Sequence, residues 1–391
     1  MYSSSKVRKI AFDRSNFGQY FGEDIYVAYC NSQLNFEEEF NDGSFHYIAR
    51  NTYEEVSDHL QKMHEKAGHK ISTFLIDHPV FSESKGHKYV IGVRDLYYHY
   101  LINTLITILL IVDNDPEAEF YVFTDNKKGA DWGDESQETT KNLEFLWYLL
   151  NFHGIKNYFF MSDHRFNNHP GFNHGTPLAT PESVGSTFCQ LYPVYKFYNV
   201  TLIRDYSTLF ERPLGDIVYL VDKYIKTLDR VESKESIKKI YISRGGNTLS
   251  ESAFIDPDKP ELGYKNDIRV FNEAKLEKYL ENLGFYIFRN SDFYNHFDQI
   301  SLLSSASLIV GPTGTGLINC LFMESGKTVI ELKMELLDFM GYTEQEAVPY
   351  YADYSYARGH QYISLDVSDK QADTAIAKLD KLFNSLDLDK L

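Results

Sequence analysis

Between Ser307 and Leu332 the chain reads as strand, glycine turn, helix and strand with no residues to spare. SLIV runs into Gly311-Pro312-Thr313-Gly314-Thr315-Gly316, Leu317–Met323 opens a helix, and TVIEL follows. Two apolar strands joined through a helix make a parallel crossover, because a tight hairpin can only return a strand antiparallel. The same alternation precedes this run. Ile240–Ser243 reads as a strand, Asn272–Leu283 as an amphipathic helix, Phe285–Phe288 as a strand and His296–Ser305 as a helix. Gly284 stands where a residue in the left-handed region closes a helix. The second half is therefore expected to be doubly wound α/β.

The first half carries a weaker version of the pattern. Residues 71–76 and 88–93 have the β-branched and aromatic content of strands, as do the shorter runs Ile25–Tyr29 and Phe45–Ala49. Leu96–Val112 reads as one apolar helix and Ala118–Thr124 as a strand. The helical LEFLWYLLNFHG and a strand at 157–161 come next. Parallel βαβ units are the expectation here too. Residues 162–190 differ: they are rich in Asn, His, Gly, Pro, Ser and Thr and have no period. A stretch of that kind is functional or a linker, so a domain junction is placed between it and roughly residue 215. The expected organisation is an N-terminal domain over 1–210, a C-terminal ligand-binding domain over 211–370 and a terminal amphipathic helix within 371–391.

A chain of 391 residues exceeds one core of usual size and suits two large α/β domains. Lys and Arg number 39 against 56 Asp and Glu, a formal net charge of −17. Such a balance argues against nucleic acid as a partner but leaves room for a local basic pocket. Cys30, Cys189 and Cys320 are too far apart and too few for a disulfide framework or a CxxC metal site. The N-terminal MYSSSKVRKIAF lacks the apolar core of a signal peptide, and the longest apolar run, Tyr100–Val112, is too short to cross a bilayer. The expected location is cytoplasmic, with peripheral membrane contact allowed.

The glycine turn admits two readings. A strand that ends in glycines and opens into a helix gathers unsatisfied N–H groups and a positive dipole end, and without Cβ atoms a diphosphate can approach the backbone. Alternatively the glycines serve a tight turn at positive φ. Spacing alone leaves both open, since the turn is neither GxGxxG nor a Walker loop. Arg244 directly follows a strand, and Arg269 precedes Phe271-Asn272-Glu273. Both are suited to a bidentate grip on phosphate; otherwise Arg269 pairs with Glu273 and Arg244 faces solvent.

The run from ISR at 242–244, through Arg269 and the helix LEKYLENLGF, to SLIVGPTGTGLINCLFMESGKTVIEL resembles the glycosyltransferase family 61 domain. That family includes capsular polysaccharide enzymes and plant xylosyl- and arabinosyltransferases. Leu96-Tyr97-Tyr98-His99-Tyr100-Leu101-Ile102-Asn103 is similar to the family's H-x-x-x-(Asp/Glu) helix. The likeness covers roughly Leu96–Asp125 and Lys238–Asp366. It implies a GT-B-like α/β fold, two Rossmann-like domains facing a cleft, with an inverting reaction and neither metal nor cofactor. The implied donor is a nucleotide sugar, with a UDP-sugar leading, and the implied acceptor is a glycan or lipid-linked glycan. By the same resemblance Arg244 and Arg269 would lie near the diphosphate and Gly311, Gly314 and Gly316 beneath it, and Asn319 matches a later family position; Thr313, Thr315 and Asn319 are expected to bind the donor with the turn. Glu331 matches a later family position.

Two positions depart from the family pattern. Thr313 replaces a histidine in the turn, and Asn103 replaces the acid four residues after His99. An inverting transfer needs a base for the acceptor hydroxyl and positive charge at the leaving diphosphate. His99 is the candidate base, with Asp95 one turn earlier to orient it, and Glu331 stands in reserve as base or ribose ligand. Each has a plainer reading: a satisfied buried histidine for His99, a salt-bridged strand end for Glu331, a helix cap for Asn319. His164, His169 and His174 with Asp163 match no standard metal-ligand spacing. Tyr350, Tyr351, Tyr354 and Tyr356 near Arg358 could stack on a sugar or nucleobase, or serve core and surface packing. The competing functions are a nucleotide-sugar epimerase on a similar scaffold and an inactive glycan- or nucleotide-binding homologue.

Overall fold

The computed structural model describes residues 18–29, 47–66, 70–77, 86–93, 97, 100–124, 135–160, 189–203, 214–231, 237–243, 273–333, 350–367, 369 and 371–385. The chain forms two compact units, Met1–Arg212 and Pro213–Leu391. No helix among the described residues is long and apolar enough to cross a membrane.

In the first unit β1 (Gly18–Tyr29), β2 (Tyr47–Arg50), β3 (Lys70–Asp77), β4 (Lys88–Val93), β5 (Glu119–Thr124), β6 (Tyr158–Phe160) and β7 (Cys189–Ile203) form one sheet in the order β2-β1-β7-β4-β5-β6, with β3 also on β7. The β4-β5-β6 part is parallel, as are β3 and β4 against β7, whereas β1 runs antiparallel to both β2 and β7. The expectation of parallel units alone is thus corrected to a mixed sheet. The missing piece was β7. It pairs with β3 as far as Lys196 and with β4 from Val200 onward. Its register with β1 shifts between Phe21 and Asp24, and Asn199 takes φ 53° at that shift. A bulge bends a strand, and asparagine is the residue besides glycine that best tolerates the left-handed region, so β7 changes neighbours there.

The helices of this unit are α1 (Tyr53–Lys66), α2 (Ile106–Asn114) and α3 (Glu135–Phe152). The apolar helix expected over Leu96–Val112 enters α2 through a π-helical turn at Tyr100–Leu105, every residue of which is buried. Aromatic packing closes the core on one face: Tyr121 lies 4.8 Å from Phe197 and 5.4 Å from Phe159, ring centre to ring centre.

The second unit is a parallel sheet of β8 (Lys239–Ile242), β9 (Tyr286–Phe288), β10 (Leu308–Pro312), β11 (Thr328–Lys333) and β12 (Gln361–Asp366), in the order β12-β11-β10-β8-β9. β12 went unread in the sequence. One face carries Tyr241, Leu308, Val310, Ile330 and Leu332. Of the helices of this unit, which begin with α4 (Leu214–Leu220), it packs on Leu276 and Leu280 of α5 (Glu273–Asn282) and on Ala375, Leu379 and Phe383 of α8 (Ala372–Phe383). The other face meets a 3-10 helix at Thr315–Phe322, which packs between α6 (His296–Ser304) and α7 (Tyr350–Ala357). Gly284, at φ 78°, closes α5 as its position predicts. In this strand order the chain winds one way from β8 to β9 and the other way from β10, so the switch point falls between the carboxyl ends of β8 and β10. Open α/β sheets bind their ligands at such a point.

Candidate active site

The glycine turn lies at that switch point. β10 ends at Pro312, and the 3-10 helix begins at Thr315 in place of the α-helix expected from Leu317. None of its three glycines adopts the left-handed conformation. Close packing is what requires two of them. A Cβ on Gly316 would lie 2.7 Å from Ile242 Cγ2, and one on Gly311 would lie 3.3 Å from Ile242 Cβ and 3.2 Å from Leu317 Cδ2. At these two positions the absent side chain makes room for Ile242 of β8 and, at Gly311, also for Leu317. The reading that glycine is needed for positive φ is therefore corrected.

The turn is then tied down residue by residue. Thr313 N–H donates to the Leu332 carbonyl at 3.0 Å. The Thr313 hydroxyl donates to Glu331 Oε1 at 2.5 Å, and the Tyr362 hydroxyl donates to Glu331 Oε2. Glu331 is only 4% exposed. With each oxygen accepting from a hydroxyl, its carboxylate anchors the turn to β11 and β12, and among the described residues no cation is paired with it. Burial, reinforced by the Glu331 carboxylate, pushes the Tyr362 hydroxyl well above the ordinary phenol range. Asn319, buried in the 3-10 helix, donates from Nδ2 to the Gly316 carbonyl at 2.9 Å. It holds the turn from within.

The first intrahelical bond runs from Leu317 N–H to the Gly314 carbonyl at 3.1 Å. The N–H groups of Thr315 and Gly316 precede it and are the donors this helix end offers. Ser243 follows β8 at the same edge, its hydroxyl bonded to Glu277. Arg244, Arg269, His99 and Asp95 lie outside the described residues, and so do His164, His169, His174 and Asp163. Among the described residues no three His, Cys, Asp or Glu side chains gather as a metal site.

The tyrosine cluster divides by role. Tyr354 is buried in α7, while Tyr356 is 56% exposed and meets the Tyr362 ring edge-on at 5.9 Å. Arg358 is buried and donates to the Met323 carbonyl at 2.8 Å and to Asp222 Oδ2 at 2.6 Å. His360 braces the same region, with Nε2 at 2.9 Å from the Cys320 carbonyl and Nδ1 accepting Lys327 N–H at 3.2 Å. A carbonyl only accepts and an N–H only donates, so this imidazole is neutral with its proton on Nε2.

A doubly wound unit with a tethered glycine turn at its switch point has the α/β architecture in which ligands bind at the carboxyl edge of the sheet. The model of the family described as Glycosyltransferase 61 matches residues 97–330, more than half of the chain, so the chain belongs to that family and is a glycosyltransferase, acting on a sugar donor and a glycan acceptor. No curated protein matches the chain.

Proposed function

We propose that the protein is an inverting glycosyltransferase of GT-B type that moves a sugar from a nucleotide-sugar donor, a UDP-sugar first among candidates, to a hydroxyl of a glycan or glycoconjugate without a metal ion or cofactor. The observation that carries the reading is the family match across 97–330. The second unit supports a donor site there, because its glycine turn stands at the switch point with the Thr315 and Gly316 N–H groups at the helix start. In this reading the acceptor oxygen attacks the anomeric carbon from the face opposite the leaving group. The bond to the diphosphate breaks, the configuration inverts, and His99, oriented by Asp95, takes the acceptor proton. Charge on the departing diphosphate is met by Arg244, Arg269 and the turn's N–H groups. Glu331 stands in reserve as base or ribose ligand, its carboxylate oriented by the Thr313 and Tyr362 hydroxyls. The enzyme would work in the cytoplasm, at a membrane surface where its acceptor is lipid-linked.

The test is thermal denaturation against UDP, GDP, CMP, ADP and dTDP, each with Mg²⁺ and with EDTA. A ligand at about 100 times its Kd adds about 2.7 kcal/mol, which raises Tm by several degrees. One nucleotide is expected to stabilise the protein equally in EDTA, and Arg269→Ala is expected to abolish that shift. A shift that needs Mg²⁺ removes metal independence from the proposal; no shift with any nucleotide removes the donor site.

A further inference from the structure

Behind the glycine turn, three side chains that share no sequence motif form a buried chain. Asn319, Gln299 and His296 are each 1% exposed. Asn319 Nδ2 lies 2.9 Å from the Gly316 carbonyl, Gln299 Nε2 lies 3.5 Å from Asn319 Oδ1, and His296 Nδ1 lies 3.4 Å from Gln299 Oε1. The carbonyl fixes every polarity in this chain. It can only accept, so Asn319 must turn its amino group to it and its oxygen to Gln299. Gln299 must then present its own amino group to Asn319 and its oxygen to the imidazole. His296 must therefore carry a proton on Nδ1. Each donor points towards the turn.

We infer that His296, Gln299 and Asn319 are positioning residues that orient the turn's peptide groups for the donor; the inference rests on the donor site proposed above. A peptide unit is planar, so the Gly316 carbonyl and the Leu317 N–H move together. Asn319 grips one side of that plane, and the Gly314 carbonyl accepts from the other at 3.1 Å. The Gly314 carbonyl therefore points into the helix, and the Thr315 N–H, across the same planar unit, points out of its start. Gly314 and Gly316 flank this arrangement. Glycine has the softest dihedrals in the chain, so these peptides need an outside grip to hold one orientation. α6 supplies it through Gln299 and His296.

The test uses the full chain and Gln299→Met, which keeps the side-chain length and removes both of its bonds without touching the turn. Two readouts are taken: hydrogen exchange of the Leu317 amide, and affinity for whichever of UDP, GDP, CMP, ADP and dTDP the wild-type protein binds. Exchange is expected to rise and affinity to fall about three- to tenfold, in keeping with the net worth of one or two hydrogen bonds. Asn319→Asp, which sets an oxygen against the Gly316 carbonyl, is expected to lose more than about tenfold. His296→Phe, one step further from the turn, reads the same chain should Gln299→Met unfold. Unchanged Leu317 exchange in a folded variant overturns the inference. Raised exchange with unchanged affinity leaves the three side chains a packing role and overturns it too. A wild-type protein that binds none of the nucleotides removes the donor-site reading, and with it the donor-positioning claim, while the exchange result separately decides whether the chain holds the turn.

Discussion

Replacing Gly316 by alanine sets a new Cβ 2.7 Å from Ile242 Cγ2, closer than carbon atoms approach without a shift. Neither neighbour yields cheaply. Ile242 is β-branched and stiff at χ1, it lies on β8 next to β10 and β9, and Gly316 is bound through its carbonyl to Asn319. Overpacking of this kind costs about 1–3 kcal/mol. For a unit the size of Pro213–Leu391 that lowers Tm by about 2–12 °C. The control is Ile242→Leu, which moves the branch off Cβ and removes the clashing methyl. A double-mutant cycle by urea denaturation is expected to return a coupling energy of about 1 kcal/mol or more, with Gly316→Ala less harmful in the leucine background. A Gly316→Ala protein that melts like the wild type, or a cycle additive within about 0.3 kcal/mol, would falsify the packing argument. If that variant instead kept its Tm and lost only nucleotide binding, Gly316 would serve the ligand and not β8.

Two further outcomes follow from buried bonds. Thr313→Val removes the hydroxyl from Glu331 Oε1 and is expected to cost about 1.5–3 kcal/mol, as for a hydrogen bond to a charged group, while Thr313→Ser keeps most of it; equal Tm values for the two variants would dismiss the bond. His360 should make the protein acid-sensitive. Its pKa is lowered first by burial and further by the charges of Arg358, Lys226 and Lys327, against an opposing bond to the Cys320 carbonyl. The unfolded chain takes up this proton near pH 6.5 and the folded protein only at lower pH, so stability is complete above 6.5 and is lost as pH falls through that value towards the folded pKa. Urea midpoints measured from pH 8 to pH 5 should fall less steeply for His360→Gln than for the wild type; parallel curves would acquit the histidine.

The parts of the fold that were legible are those whose apolar runs are bounded by turn residues. SLIV and TVIEL flank glycines, and both emerged as strands of one parallel sheet. β7 was not legible because Pro193, Lys196 and Asn199 interrupt its apolar pattern, and what makes it a strand is pairing with β1, β3 and β4. β12 was hidden for a related reason: its burial alternates only weakly, and its register comes from β11. At the site, spacing located the glycine turn but not what fills the space beside it, since Ile242 and Gly316 meet only after two crossovers bring β8 and β10 together. Nor can spacing reveal that Glu331 is taken by Tyr362, or that α6 reaches the turn through Gln299, because these contacts join separate elements.

The place of β7 in its sheet also governs when that sheet can form. Among the described residues it is the last strand of the first unit in the chain, yet it lies between β1 and β4, with Gly18 opposite Ile203. During synthesis β1, β3 and β4 therefore each keep an unpaired edge, and the two halves of the sheet stay unjoined, until residues 189–203 leave the ribosome. Such long-range closure makes folding slow and exposes strand edges to other chains. A ribosome stalled before β7 should hold a protease-sensitive first unit, and one stalled well beyond it a resistant one.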